Sequence, residues 1–347
     1  MSWKVCVIGH FGLNENLLNG QTIKTKIITQ ELERQLSPRN VLKIDTHNIK
    51  GKLIKVSTLV RKGMKNSENI IMMPAHNGIR FFSPLLFALN FIYPTKLHYI
   101  VIGGWLPQFL ENRKLLSSIL KKFDGIYVET NTMKRKLEQM GFKNVFVMPN
   151  CKELSILKKS EIEYDLPKPY RLCTFSRVMK EKGIEDAIKA VLDVNRIYGE
   201  NIFSLDIYGQ IDDNYKEDFF EMKKSFPNNI RYCGSVPFDK TTQILKKYYA
   251  LLFPTQFYTE GIPGTIIDAY ASGVPVIASR WESFSDLIED NEVGYGYQFG
   301  DLNELEKILL QVIDNPIELN KMRIKCIDKA YLYNSSNVVG KFIRERL

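Results

Sequence analysis

Short apolar runs rich in β-branched residues recur along the chain, and most are followed by a polar loop and then a stretch with helical periodicity. Lys4–Gly9 (KVCVIG), Val41–Ile44, Ile70–Met73, Tyr99–Ile102, Gly125–Val128 and Val145–Met148 form a first series, separated by helical patterns such as Ile23–Leu36 and Thr132–Met140. Strands alternating with helices imply a parallel sheet covered on both faces. The alternation breaks between Asn150 and Tyr170, in a polar stretch closing on Pro167-Lys-Pro169, and then restarts. Arg171–Phe175, Phe203–Tyr208, Ile230–Tyr232, Tyr249–Phe253 and Val274–Ile277 read as strands, and Gly183–Tyr198 as a helix. The expected fold is α/β, with two successive Rossmann-like, doubly wound domains over residues 1–165 and 166–333. A chain of 347 residues also exceeds the roughly 250–300 at which one hydrophobic core stops growing. Nucleotide-sized crevices lie at the carboxyl ends of such strands, so facing domains would enclose one ligand in an interdomain cleft.

Apolar residues make up 44% and charged residues 25%, which sets disordered and fibrous classes aside. The five cysteines are scattered, odd in number and without a CxxC pair. That pattern argues against a disulfide framework or zinc site and fits a reducing cytoplasm. The first strand begins at Trp3 with no leader pattern ahead of it, so a cytoplasmic protein is expected. The longest apolar stretch, Pro84–Tyr93 (PLLFALNFIY), is far short of the roughly 20 residues that span a bilayer, but could pack inside or lie on a membrane surface. Through Asp165 there are 25 Lys/Arg against 13 Asp/Glu, and after it 23 against 26. A basic first half suits an anionic partner such as the inner face of a membrane or a lipid pyrophosphate. The cations are dispersed and no recognition motif accompanies them, so nucleic acid is not expected.

Two segments carry the chemistry. In Phe175–Gly183 (FSRVMKEKG), Arg177 and Lys182 sit five apart just past a strand end. A departing nucleoside diphosphate gains negative charge, which fixed cations stabilise, Arg bidentately and Lys as a point charge. In Thr259–Ser279 (TEGIPGTIIDAYASGVPVIAS), Gly261, Ile262, Pro263 and Gly264 lead into a helical run, Thr265–Ala271. Free N–H groups at such a helix start can hold a diphosphate, and glycine lets the ligand approach the main chain. The acids Glu260 and Asp268 flank that turn.

In order, spacing and strand context across about 100 residues, these segments resemble the S-R-x-x-x-E-K-G and E-G-x-x-x-x-x-x-E motifs of glycosyltransferase family 4. That family consists of retaining enzymes with the two-domain GT-B fold. The resemblance implies that Glu260 holds hydroxyls of the transferred sugar and Asp268 the ribose, with Asp replacing the usual Glu. It places Gly209 near base and phosphates, and Ser235–Pro237, centred on Val236, at the nucleobase. Asn19-Gly20-Gln21-Thr22 takes the place of the family's glycine loop, with Gly20 and Gln21 approaching the donor. The final helix, about residues 334–347, crosses back to the first domain in such enzymes. The histidine many relatives carry after a middle strand falls at Gly103-Gly104-Trp105, where this chain has none. His76, in Pro-Ala-His-Asn-Gly, and His10 stand at other strand ends on the cleft side; His47 and His98 read as structural. Glu129-Thr130-Asn131 and Met148-Pro149-Asn150 resemble cleft-facing strand ends.

The expected activity is transfer of a sugar from a nucleotide diphosphate sugar, UDP-linked, to a glycan or lipid-linked acceptor hydroxyl, with retention. A donor phosphate oxygen would accept the acceptor's proton. Arg177, Lys182, Glu260 and His76 form the expected catalytic set. No cofactor or metal is expected, and Asp212-Asp213 is placed in solvent, away from the phosphate motifs. A nucleotide-sugar epimerase and a non-catalytic nucleotide-sugar-binding subunit are the alternatives.

Overall fold

In β1 (Trp3–Gly9), Val5 and Val7 join one buried apolar cluster while Cys6 and Ile8 join another, and all four are fully buried. A strand with both faces apolar is stable only with cover on each side. The computed structural model, which describes residues 2–12, 15, 20–48, 53–164, 167–237 and 240–347, supplies that cover with helices. The chain divides into two compact units, Met1–Glu153 with Tyr333–Leu347, and Leu154–Leu332. The expected boundary at Asp165 and Leu166, and Asn19 of the glycine loop, lie outside the described residues.

The first unit runs β1, α1 (Gly20–Leu36), β2 (Val41–Asp45), α2 (Leu53–Asn66), β3 (Ser67–Met72), α3 (His76–Asn90), β4 (Lys96–Ile100), α4 (Leu106–Leu110), α5 (Lys114–Leu120), β5 (Gly125–Val128), α6 (Asn131–Gln139) and β6 (Val145–Val147). Its six strands are parallel, in the order β2-β1-β3-β4-β5-β6. Local chemistry sets the helix starts. At α6 the Thr130 hydroxyl accepts the Met133 N–H at 3.1 Å, and Met133 and Leu137, one turn apart, enter the core.

The second unit carries β7 (Tyr170–Phe175), α7 (Ile184–Tyr198), β8 (Phe203–Tyr208), α8 (Lys216–Lys223), β9 (Ile230–Gly234), α9 (Thr241–Leu245), β10 (Ala250–Phe253), α10 (Gly264–Ala271), β11 (Val276–Ser279), α11 (Phe284–Leu287), β12 (Gly294–Tyr297), α12 (Leu302–Asp314) and α13 (Pro316–Ala330). The order of its parallel sheet is β12-β11-β10-β7-β8-β9. Sequence reading misses β12, because Gly-Tyr-Gly-Tyr lacks a β-branched run. Gly294 is needed there, since a side chain would come within 1.9 Å of the Val276 carbonyl oxygen.

After α13 the chain returns to the first unit as α14 (Ser335–Arg346), whose Phe342 ring meets Tyr127 edge-on at 4.8 Å. The apolar stretch Pro84–Tyr93 divides at the end of α3. Leu86 is fully buried, whereas Phe91 and Ile92 stand 77% and 66% exposed. Within the first core, His98 is held between the Tyr127 hydroxyl (3.0 Å) and Asn69 Oδ1 (3.2 Å), and burial lowers its pKa to about 4. Another buried polar contact joins distant segments. Lys24 Nζ meets Glu129 Oε1 at 2.5 Å and the Val101 carbonyl at 3.2 Å, while Glu129 also accepts the Gly103 N–H at 3.0 Å.

Candidate nucleotide site in the second unit

From β7 to β9 each new strand of the second sheet is added on one side; β10 is then laid on the other side of β7. Loops leaving two such neighbours diverge, and the crevice beyond their carboxyl ends is where open α/β sheets bind ligands. The loop after β7 carries Arg177 and Lys182, and the loop after β10 carries Glu260–Gly264.

Glycines allow the loops to close on one another. Lys180–Lys182 forms a single 3-10 turn, and Gly183 then adopts φ 68° to enter α7. A side chain at Gly183 would lie 1.8 Å from the Pro254 carbonyl oxygen, so only glycine lets these two loops meet. The Gln256 N–H donates to the Glu181 carbonyl at 2.8 Å, and Gln256 Nε2 to Asp186 at 2.9 Å. Gly209, at φ 135°, lies equally tight against Ser176. Its N–H bonds to the Gly234 carbonyl at 2.9 Å, and its own carbonyl accepts the Tyr232 hydroxyl. Val178 exchanges main-chain bonds with Gln210 and Asp212, zipping the β7 loop to the β8 loop. Val236 follows β9, half-buried.

Lys182 forms an ion pair with Glu260, each side chain 16% exposed. The ammonium also lies 5.1 Å from the centre of the Phe257 ring and 5.6 Å from that of Phe253, whose faces favour a cation. The Lys182 ammonium has three donors, so it can add an anionic oxygen while retaining Glu260. Arg177, 48% exposed, reaches Asp212 at 3.3 Å. This corrects the expectation for Asp212. The main-chain zipper between the β7 and β8 loops carries Asp212 to Arg177, and its side chain also accepts the Asn214 N–H. An exposed pair of this kind is weak, which leaves the Arg177 guanidinium available to a stronger anion.

Gly261, Ile262 and Pro263 are buried and Gly264 opens α10. Pro263 offers no side-chain cap to the first turn, and the leading N–H groups of a helix have no intrahelical partner. Thr265 Oγ1, in that turn, is buried with no hydrogen-bond partner. A polar atom left so costs about 1–3 kcal/mol, and a bound anion would remove that cost. Asp268 lies one turn further along α10, 8% exposed. Arg177, Lys182, Gly209, Glu260, Gly264, Thr265 and Asp268 therefore all belong to the second unit, on loops and a helix start that leave the carboxyl ends of β7, β8 and β10. Sequence reading missed Phe253 and Phe257 as walls around Lys182, Asp212 as the partner of Arg177, and the orphan hydroxyl of Thr265. Only Asp212 had a signal, its place three residues after Gly209.

The remaining expected residues lie in the first unit. Gly20 and Gln21 are the first residues of α1, which begins three residues before the expected Ile23. Gly20 has open space around it and no positive φ, so backbone geometry does not demand glycine there. His76 opens α3 and stacks on Trp105, ring centres 3.9 Å apart and 28° from parallel. Burial, then Arg80 and Arg113, hold its pKa below the ordinary range. His10 bonds to Thr22 Oγ1 (2.7 Å) and to His47 (2.9 Å), and His47 to Glu15 (2.9 Å). Burial, then His47, lowers the pKa of His10.

The family model described as glycosyl transferases group 1 matches residues 158–332. Among curated proteins, the chain is 28% identical over 223 residues to the GtfA subunit of a UDP-N-acetylglucosamine–peptide N-acetylglucosaminyltransferase from Streptococcus agalactiae, covering 63% of this chain and 40% of that one. It is 24% identical over 276 residues to an alpha-monoglucosyldiacylglycerol synthase from Streptococcus pneumoniae, covering 76% and 60%. The chain thus spans about half the length of these curated relatives. Among solved structures, HepE of Anabaena, crystallised with UDP, superposes with a TM-score of 0.77 over 98% of both chains at 14% identity. That likeness shows the fold, the two six-stranded parallel sheets of the GT-B class.

Proposed function

The chain belongs to the glycosyl transferases group 1 family, and from that premise we propose that it is a retaining, family 4-type transferase moving a sugar from a UDP-sugar to a glycan or lipid-linked acceptor. The observation carrying this reading is that the loop after β7, which carries Arg177 and Lys182, meets the loop that opens α10 through the Lys182–Glu260 ion pair at the β7/β10 switch point. The two cations and the leading amides of α10 bind the diphosphate and stabilise the charge that grows on it as the sugar departs. Such an array supplies positive charge without a metal, so activity is expected to persist in EDTA. Glu260 orients the transferred sugar through its hydroxyls, while Asp268 receives the ribose. The acceptor hydroxyl attacks from the face the diphosphate leaves, and a donor phosphate oxygen takes its proton. The UDP held by HepE and the lipid product named for the pneumococcal relative favour a uridine donor and a lipid-linked acceptor. Action at the inner face of a membrane follows from that acceptor.

The test is incubation with single UDP-sugars and a membrane-lipid extract, with product stereochemistry read by NMR. An α-linked product from an α-linked donor, formed in EDTA, is expected. An inverted product, or a free epimerised nucleotide sugar, overturns the reading.

A further inference from the structure

The first unit carries a surface that the donor chemistry does not use. Between α3 and the start of α5 lies a pocket of about 460 Å³, with Arg80, Arg113 and Lys114 among its lining residues. The Arg113 guanidinium lies 4.0 Å and that of Arg80 5.2 Å from the centre of the Phe109 ring, and Arg113 also donates to the Phe109 carbonyl. Among the described residues no carboxylate pairs with any of these three cations. Like charges gathered over one ring leave an unbalanced positive field, and that field contributes to the lowered pKa of neighbouring His76.

Apart from Asn112, the rest of the pocket is apolar, formed by Pro84, Leu115, Leu116 and Ile119. Arg80, Pro84, Phe87 and Phe91 recur at intervals of four, three and four residues, so they share one face of α3. That face runs about 16 Å, at 1.5 Å per residue, from the cations to Phe91. Phe87 and Phe91 meet edge-on at 5.1 Å, and Leu115 is 78% exposed. One end of the surface suits a phosphate and the other a hydrocarbon chain.

We propose that this surface binds a lipid phosphate, its phosphate or pyrophosphate held by Arg80, Arg113 and Lys114 and its chain laid along α3 toward Phe91 and Ile92. As the acceptor's anchor, the site rests on the transferase reading above; as a lipid site, it is tested without that reading.

The experiment is calorimetric titration of the full chain with farnesyl phosphate below its micellar concentration, beside farnesol, inorganic phosphate and phosphatidylglycerol vesicles. Farnesyl phosphate is expected to bind roughly tenfold or more tightly than farnesol or phosphate. The double variant Arg80→Gln/Arg113→Gln loses at least about tenfold of that affinity, since the charge-assisted bonds to the phosphate are removed. Leu115→Ser, an exposed and uncharged change, weakens farnesyl phosphate but not inorganic phosphate. UDP-induced thermal stabilisation stays unchanged in both variants, which shows that they fold and separates this test from the donor reading. Equal farnesyl phosphate affinity in the Arg variant overturns the site. Binding of inorganic phosphate as tight as farnesyl phosphate overturns the chain-binding half. Phosphatidylglycerol vesicles binding as well as farnesyl phosphate, with the same dependence on the arginines, would mark a general anionic-surface contact and overturn the lipid-phosphate assignment.

Discussion

Replacing Lys182 with Met separates a ligand-binding cation from a mere partner of Glu260. Both side chains are 16% exposed and the ammonium is walled by Phe253 and Phe257, so bulk water screens the site poorly. A charge-assisted hydrogen bond to a phosphate oxygen is worth about 1.5–3 kcal/mol, or roughly 10- to 150-fold in dissociation constant. Lys182→Met is therefore expected to raise the Kd for UDP by that factor. It also strands the Glu260 carboxylate, lowering the melting temperature of the ligand-free protein. Glu260→Gln removes a negative charge near the diphosphate, so UDP binds as tightly as in the wild type or tighter, while the preference for UDP-sugar over UDP falls as sugar contacts weaken. The double variant Lys182→Met/Glu260→Gln discriminates. Its ligand-free stability recovers, because neither charge is left alone, but its UDP affinity stays low. Calorimetric titration with UDP and a matching UDP-sugar, with thermal unfolding on the same samples, reads every arm. UDP affinity within about threefold of wild type in Lys182→Met, or affinity restored in the double variant, would refute the assignment.

Two further predictions rest on single buried groups. Thr265→Val removes an orphaned buried hydroxyl, so the ligand-free protein gains about 1–3 kcal/mol in urea unfolding, whereas UDP binds several-fold more weakly; unchanged UDP affinity would remove Thr265 from the site. His98 is buried and neutral, with a pKa of about 4 in the folded state against about 6.5 unfolded. Its contribution is fully present above pH 6.5 and is lost as pH falls from there to 4, because the unfolded chain then binds the extra proton. The interval corresponds to about 3 kcal/mol, and a stability–pH slope that His98→Gln leaves unaltered would contradict it.

Much of the fold is legible without coordinates because its signals are local. A β-branched run such as Lys4–Gly9 or Phe203–Tyr208 declares a strand within a few residues, and Thr130 caps α6 from three residues away. β12 escapes such reading because its glycines serve a neighbour's backbone rather than their own conformation. The segments of the candidate site are equally readable, since the cations, the tight glycines and the α10 start each sit within one loop.

The sequence alone thus determined most of the elements that form and which loops carry the candidate cations and glycines, because propensity, capping and turn stereochemistry act over a few residues. Tertiary structure decided what meets what. Laying β10 beside β7 brings Lys182 and Glu260, 78 residues apart, into an ion pair. Zipping the β7 and β8 loops carries Asp212 to Arg177, and the first sheet joins Lys24 to Glu129 across 105 residues. Strand order is set by burial summed over whole faces, a long-range quantity to which no single segment holds the answer.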